Sequence, residues 1–139
     1  MNHLATHATV QQQTFEQCFF RGNIHLKDQF TQAKVDLVIG NPPYGAFSGR
    51  WAGMGEKQWT RARSYEEYFV LRGLDLLRPG GLLIYILPHG FLDGDKSKAK
   101  QKIASQLSRV VDSYRLPNKL FPTTQIGTDI LVLRKKLSA

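Results

Sequence analysis

Asn41-Pro42-Pro43-Tyr44 follows directly on the apolar run Val35-Asp36-Leu37-Val38-Ile39-Gly40. An amide, two prolines and an aromatic ring at the end of such a run make a stiff corner that presents a planar acceptor and a flat face. Those are the groups needed to handle a planar amino group. In adenine the N6 lone pair is delocalised into the ring, so the nitrogen is a poor nucleophile until its two N–H bonds are held in a geometry that localises the pair. The Asn41 side-chain oxygen can be one acceptor and the Pro42 carbonyl the other, since proline keeps its C=O while the ring fixes φ. Tyr44 can stack on a base flipped out of its duplex. Transfer of a positioned sulfonium methyl needs no covalent enzyme intermediate, and positioning with electrostatics carries the rate. Asn and Pro also mark plain strand-ending turns, so the surrounding elements decide between the two.

The run before Asn41 reads as a strand buried on both sides, as in a parallel sheet. Ligands of open α/β sheets bind beyond the carboxyl ends of such strands, which places Asn41 where a ligand would lie. Ser64-Tyr65-Glu66-Glu67 has the capping-box pattern and opens a helix to about Leu77, stopped by Pro79-Gly80. A buried strand is expected over 82–87, then a Gly/Asp loop near Asp93. Ala99, Ile103, Leu107 and Val110 fall on one face of a helix beginning near Ser97. Strands over 110–116 and 129–134 close the chain as a hairpin. Upstream, residues 9–20 can form a helix that Gly22 stops, and 23–26 a short strand. The whole 139 residues are expected as one domain, with residues 1–22 a helical region ahead of 23–139.

The formal net charge of +8 favours an anionic partner. Between Gly45 and Ser64 the chain concentrates Arg50, Trp51, Trp59, Arg61 and Arg63 among glycines. Cations hold phosphates, tryptophans stack on bases and glycines let a segment adapt, so this is the candidate DNA-contacting loop. Cys18 is alone, which excludes an intrachain disulfide and leaves a buried reduced thiol as its expected role. The four histidines are not at metal-ligand spacing, and no metal is expected. No apolar stretch approaches the roughly 20 residues of a membrane span, and the N-terminus has no signal-like apolar region. A cytoplasmic location is expected.

The segment DLVIGNPPYG resembles motif IV of the N6-adenine DNA methyltransferases of the gamma motif order almost letter for letter. The helix, Pro79-Gly80-Gly81 and the strand after them are similar to the unit that follows motif IV. Arg115-Leu116-Pro117 through Leu120-Phe121-Pro122 to the last strand is similar to the motif VIII region and final hairpin. The resemblance runs from about residue 23 to 136. It implies a Rossmann-like α/β methyltransferase sheet, dependent on S-adenosylmethionine, with a C-terminal antiparallel hairpin. It also implies catalytic roles for Asn41, Pro42 and Tyr44, contact of Pro43 with the substrate, and closure of the other face of the flipped base by Phe121. Some relatives carry a lysine three residues after that aromatic, where Thr124 stands here. Asp28, within Leu26-Lys27-Asp28-Gln29-Phe30, resembles the motif III acid that binds the adenine amino group of the cofactor. His89 follows a buried strand at its carboxyl end and can face the cleft, with a plain loop residue the preferred reading.

Upstream of motif III the family carries a glycine-rich turn for the methionine part of the cofactor and an acid for its ribose. Gly45, Gly49, Gly53 and Gly55 come after NPPY and do not sit between a first strand and its helix. The chain thus resembles the C-terminal part of a catalytic domain. It is expected to be a remnant, an excised piece or one half of a split enzyme whose second polypeptide brings the cofactor strands. Without those strands the one before Asn41 becomes an exposed apolar edge. The alternatives are a protein-glutamine N5-methyltransferase, since a side-chain amide poses the same problem, and a non-catalytic DNA-binding or anti-restriction remnant.

Overall fold

The structure is a computed structural model that describes residues 35–46, 62–93, 98–117 and 127–137. Within them lie β1 (Val35–Gly40), α1 (Tyr65–Leu76), β2 (Leu77–Pro88), α2 (Lys98–Lys102), a π-helical turn (Ile103–Leu107), β3 (Ser108–Arg115) and β4 (Thr128–Lys135). The expected upstream helix and strand, Cys18, Asp28, Arg50, Trp51, Trp59, Arg61 and Phe121 lie outside the described residues.

The sheet order is β1-β2-β4-β3. β1 runs parallel to β2, while β4 is antiparallel to both β2 and β3. Parallel neighbours need a crossover, and α1 supplies it. The mixed α/β sheet with its terminal hairpin is the one expected from the sequence.

One face of this sheet is dry. Leu83, Tyr85 and Leu87 of β2 alternate inward with Leu131 and Leu133 of β4, and Tyr68, Leu71 and Leu74 of α1 and Ile103 of the π turn cover them. Fully burying a leucine-sized side chain contributes roughly 1.5–3 kcal/mol, so this layer dominates the fold. Helix and sheet approach closely because residue 73 is glycine. A Cβ there would lie 2.6 Å from Leu83 Cδ1 and 2.7 Å from Tyr85 Oη.

The start of α1 is as expected, with one difference of detail. The Ser64 hydroxyl accepts from the Glu67 amide at 3.2 Å, as an N-cap should. The Glu67 carboxylate accepts from the amide of Arg63 at 2.6 Å, one residue before the cap.

Three expectations need correction. α1 ends at Leu76 and β2 begins at Leu77, whose backbone is extended, so Arg78-Pro79-Gly80-Gly81 belongs to the strand. Leu77 already pairs with Val35, and Gly80 takes φ of +85°, a conformation that glycine adopts without strain. The second helix does not extend to Val110: Ser108 turns extended and its hydroxyl donates to the Ile103 carbonyl at 2.8 Å. The β-branched pair Val110-Val111 then continues as strand, and Val110 is exposed.

The third correction concerns β1, which is not buried on both sides among the described residues. Among the described strands it lies at the edge, with Leu37 50% and Ile39 68% exposed. No described strand pairs with its outer side.

Candidate active site

Parallel pairing brings the carboxyl ends of β1 and β2 to one end of the sheet. Gly40 is opposite Tyr85, so Asn41 leaves the sheet one step beyond the last paired residue. Asn41 and Pro43 are exposed, Pro42 is buried and Tyr44 is half-buried. The amide is therefore presented outward from a corner whose second residue is packed.

Two further attachments fix that corner. The Tyr44 hydroxyl donates to the Ile86 carbonyl of β2 at 2.8 Å. Burial, and then the nearby charge of Glu66, push its phenol up to about 12, so the hydroxyl keeps its proton and remains a donor at neutral pH. Gly45, at φ of +133°, donates its amide to a Glu66 carboxylate oxygen at 3.2 Å, and its carbonyl accepts from the Tyr65 amide at 2.9 Å. Ala46 then pairs antiparallel with Ser64. The corner after β1 is thus clipped to the first turn of α1, where acidic side chains are favoured by the helix dipole.

Of the residues expected in a DNA-contacting loop, Arg63 is described, and its side chain is exposed beside the α1 cap. The structure therefore brings together Asn41, Pro42, Pro43, Tyr44 and the first turn of α1. Asp28 and Phe121 are not placed.

A second cluster at the same end escaped sequence reasoning. His89 Nδ1 lies 2.9 Å from Asp129 Oδ2, and Arg115 Nε donates to Asp129 Oδ1 at 2.9 Å. Partial burial pushes the Asp129 carboxyl up, but hydrogen bonds from His89 and Arg115 and their charges outweigh this and hold it below the usual range. The His89 amide also donates to the Gly127 carbonyl at 2.8 Å. The cluster ties the exit of β2 to both strands of the terminal hairpin. Beside it is a cavity of about 130 Å³ whose lining includes Leu87, Phe91, Ser113, Asp129 and Leu131. His89 is more than the loop residue expected of it. The available signal was its place directly after a buried strand. Its partners, 26 and 40 residues away, become visible only with the strand register.

Among the described residues no three His, Cys, Asp or Glu side chains are grouped to hold a metal ion. None of the described helices is long and apolar enough to cross a membrane.

Comparison with known proteins assigns this arrangement a lineage. The family described as Eco57I restriction-modification methylase matches residues 2–118. Defense against restriction protein B of Escherichia phage P1 is 30% identical over 103 residues, 72% of this chain and 4% of that protein. The type I restriction enzyme EcoEI methylase subunit of Escherichia coli is 29% identical over 104 residues, 73% of this chain and 21% of that protein. The chain thus spans about a fifth or less of these curated relatives. Among solved structures, the modification subunit of a type I restriction enzyme from Vibrio vulnificus YJ016 superposes with TM-score 0.61 at 21% identity, over 78% of this chain and 24% of that one. A class I S-adenosylmethionine-dependent methyltransferase from Listeria monocytogenes gives 0.57 at 22% identity, over 74% and 32%. At these identities the structural likeness establishes the fold, which is the sheet of the S-adenosylmethionine-dependent methyltransferases.

Proposed function

Because this chain belongs to the Eco57I restriction-modification methylase family, we propose that it forms the acceptor side of a DNA methyltransferase acting on N6 of an adenine flipped out of its duplex. The observation that carries the proposal is the outward-facing amide of Asn41 on a corner held by the Tyr44–Ile86 and Gly45–Glu66 hydrogen bonds. Asn41 Oδ1 and the Pro42 carbonyl accept the two N6 protons. That localises the nitrogen lone pair toward the methyl donor and makes it nucleophilic. The Tyr44 ring, oriented by its hydroxyl, gives the base a surface to stack on. Phe121 closes the other face in this proposal, Pro43 adds contact with the substrate, and Arg50, Trp51, Trp59, Arg61 and Arg63 hold the duplex.

S-adenosylmethionine supplies the methyl group in this family reading. The reading places the acceptor side in the described residues, where β1, the first described strand, leads into the Asn41 corner. Asp28 is the one cofactor contact assigned to this chain. The remaining contacts are assigned to strands pairing along the open side of β1, carried upstream or on a second polypeptide. Leu37 and Ile39, on one face of β1 and exposed among the described residues, are the apolar surface that an element packed on that face would cover.

The test is methylation of duplex DNA after the upstream strands are restored by fusion or as a separate chain. Asn41→Ala should lower transfer to adenine by about a hundredfold or more, the scale on which loss of a positioned polar group acts. A 2-aminopurine reporter of base flipping should still respond. Full methylation by the Asn41 variant would exclude the N6-amine mechanism.

A second reading, a non-catalytic anti-restriction module, is favoured by the match to the phage defence protein, 30% identical over 72% of this chain. DNA binding without any methyl transfer in the restored enzyme would select it.

A further inference from the structure

The opposite end of the sheet carries a charged feature that the acceptor chemistry does not use. Where β2 begins and β4 ends, an open groove of about 440 Å³ is lined by Gly80, Arg109, Arg134, Lys135, Lys136 and Leu137. Among the described lining residues four of six are cations and none is an acid. Arg109 and Arg134 are direct cross-strand partners, a placement in which like charges repel and the pair costs folding free energy. Both are exposed, and among the described residues neither is in an ion pair.

The cations are also held in place. Arg134 Nη1 donates to the Gly80 carbonyl at 2.8 Å, Lys135 Nζ to the Leu77 carbonyl at 2.8 Å, and Lys136 Nζ to the Ser105 carbonyl at 2.5 Å. The bond to Gly80 uses one of the five guanidinium donors of Arg134, and among the described residues no hydrogen bond engages the Arg109 guanidinium.

We propose that this groove is a second nucleic-acid contact that takes the phosphodiester backbone of DNA. Facing guanidinium forks match the geometry of phosphate oxygens and bind them bidentately. An anion between Arg109 and Arg134 turns their repulsion into two attractions. An acidic protein surface fits less well, because protein interfaces centre on apolar and aromatic anchors and among the described lining residues Leu137 is the one large apolar side chain. From Gly80 to Pro88 the strand advances eight residues, roughly 26 Å at about 3.3 Å each. The groove is therefore distinct from the acceptor corner and independent of Asn41 chemistry.

The experiment is fluorescence anisotropy of a labelled duplex titrated with the full chain over a series of salt concentrations. Each phosphate neutralised adds about 0.9 to the slope of log affinity against log salt. Arg109→Gln with Arg134→Gln should weaken binding and lower the slope by about 2. Arg109→Gln alone, on an exposed position of the edge strand β3, should lower it by about 1 and decides the matter if the double variant does not fold. Thermal unfolding of Arg109→Gln without DNA should show an unchanged or raised midpoint, since a like-charge pair is removed. Methyl transfer by Asn41→Ala in the restored enzyme is read in a separate assay, so failure of this proposal is distinguishable from failure of the methyl-transfer reading on which its DNA partner rests. Unchanged slopes in both groove variants overturn the proposal. So does competition by polyglutamate that the groove variants abolish while DNA affinity stays the same, because the groove would then be a protein-binding site.

Discussion

Replacing Gly73 by alanine sets two effects of opposite sign against each other, and the structure decides which wins. In a helix interior, Gly→Ala is worth about 1 kcal/mol of added stability. Here the new Cβ would stand 2.6 Å from Leu83 Cδ1 and 2.7 Å from Tyr85 Oη, closer than real Cβ contacts come. Neither neighbour has free space to enter, since Leu83 is fully buried and Tyr85 is 3% exposed. Overpacking of this kind costs about 1–3 kcal/mol. Moving Tyr85 also breaks the bond from its hydroxyl to the Phe69 carbonyl, worth about 1 kcal/mol. The net expectation is a loss of about 1–3 kcal/mol, seen in urea denaturation followed by circular dichroism as a midpoint lower by about 1 M for a slope of about 2 kcal/mol per M. The disturbance also reaches the site, because Tyr85 pairs with Gly40, the residue before Asn41. A variant as stable as the parent, or more stable, would refute the packing argument, since helix propensity would then have outweighed a contact that could not form.

Tyr44→Phe keeps the ring and removes the donor to Ile86, so it should cost about 1 kcal/mol in the same assay. The folded-state phenol, pushed up to about 12, lies above the unfolded value near 10. Its contribution is complete below pH 10 and disappears as pH rises through about 12, an alkaline limb that the phenylalanine variant should lack. Asp129 has the opposite sign: its folded-state value is lowered, so its contribution is complete above the ordinary carboxylate range and lost as pH falls through the lowered value. Asp129→Asn should flatten this acid limb and, with both partners half-exposed, cost about 1 kcal/mol at neutral pH. Alanine at Arg50, Arg61 and Arg63 together should flatten the salt dependence of DNA binding, and an unaltered slope would remove that segment as a phosphate contact.

Local signals made the corner after β1 legible. An apolar run ending in Asn-Pro-Pro-Tyr encodes both a strand and its rigid exit, and Ser64 with Glu67 encodes a helix start within four residues. What failed was judgement at boundaries set by tertiary pairing. Pro79-Gly80 looked like a helix stop, yet the helix had already ended because Leu77 was drawn into register with Val35. Val110 kept the helical period of Ala99 and Ile103, but pairing with Leu133 in the hairpin claimed it for the sheet. The His89–Asp129–Arg115 cluster was invisible for the same reason. Three residues separated by up to 40 positions meet only once β2, β3 and β4 are aligned.

The hydroxyl of Tyr44 has one proton, and it is given to Ile86. A flat group resting on that ring meets a π-surface with no donor left to read the pattern of groups along its edge. Tyr44 can then rank ligands by stacking area and polarisability, which favours a purine over a pyrimidine but separates adenine from guanine weakly. Under the proposed function, the choice between a base that brings an amino group and one that brings a carbonyl falls on two acceptors, Asn41 Oδ1 and the Pro42 carbonyl. An amino group satisfies them, and a carbonyl oxygen is repelled.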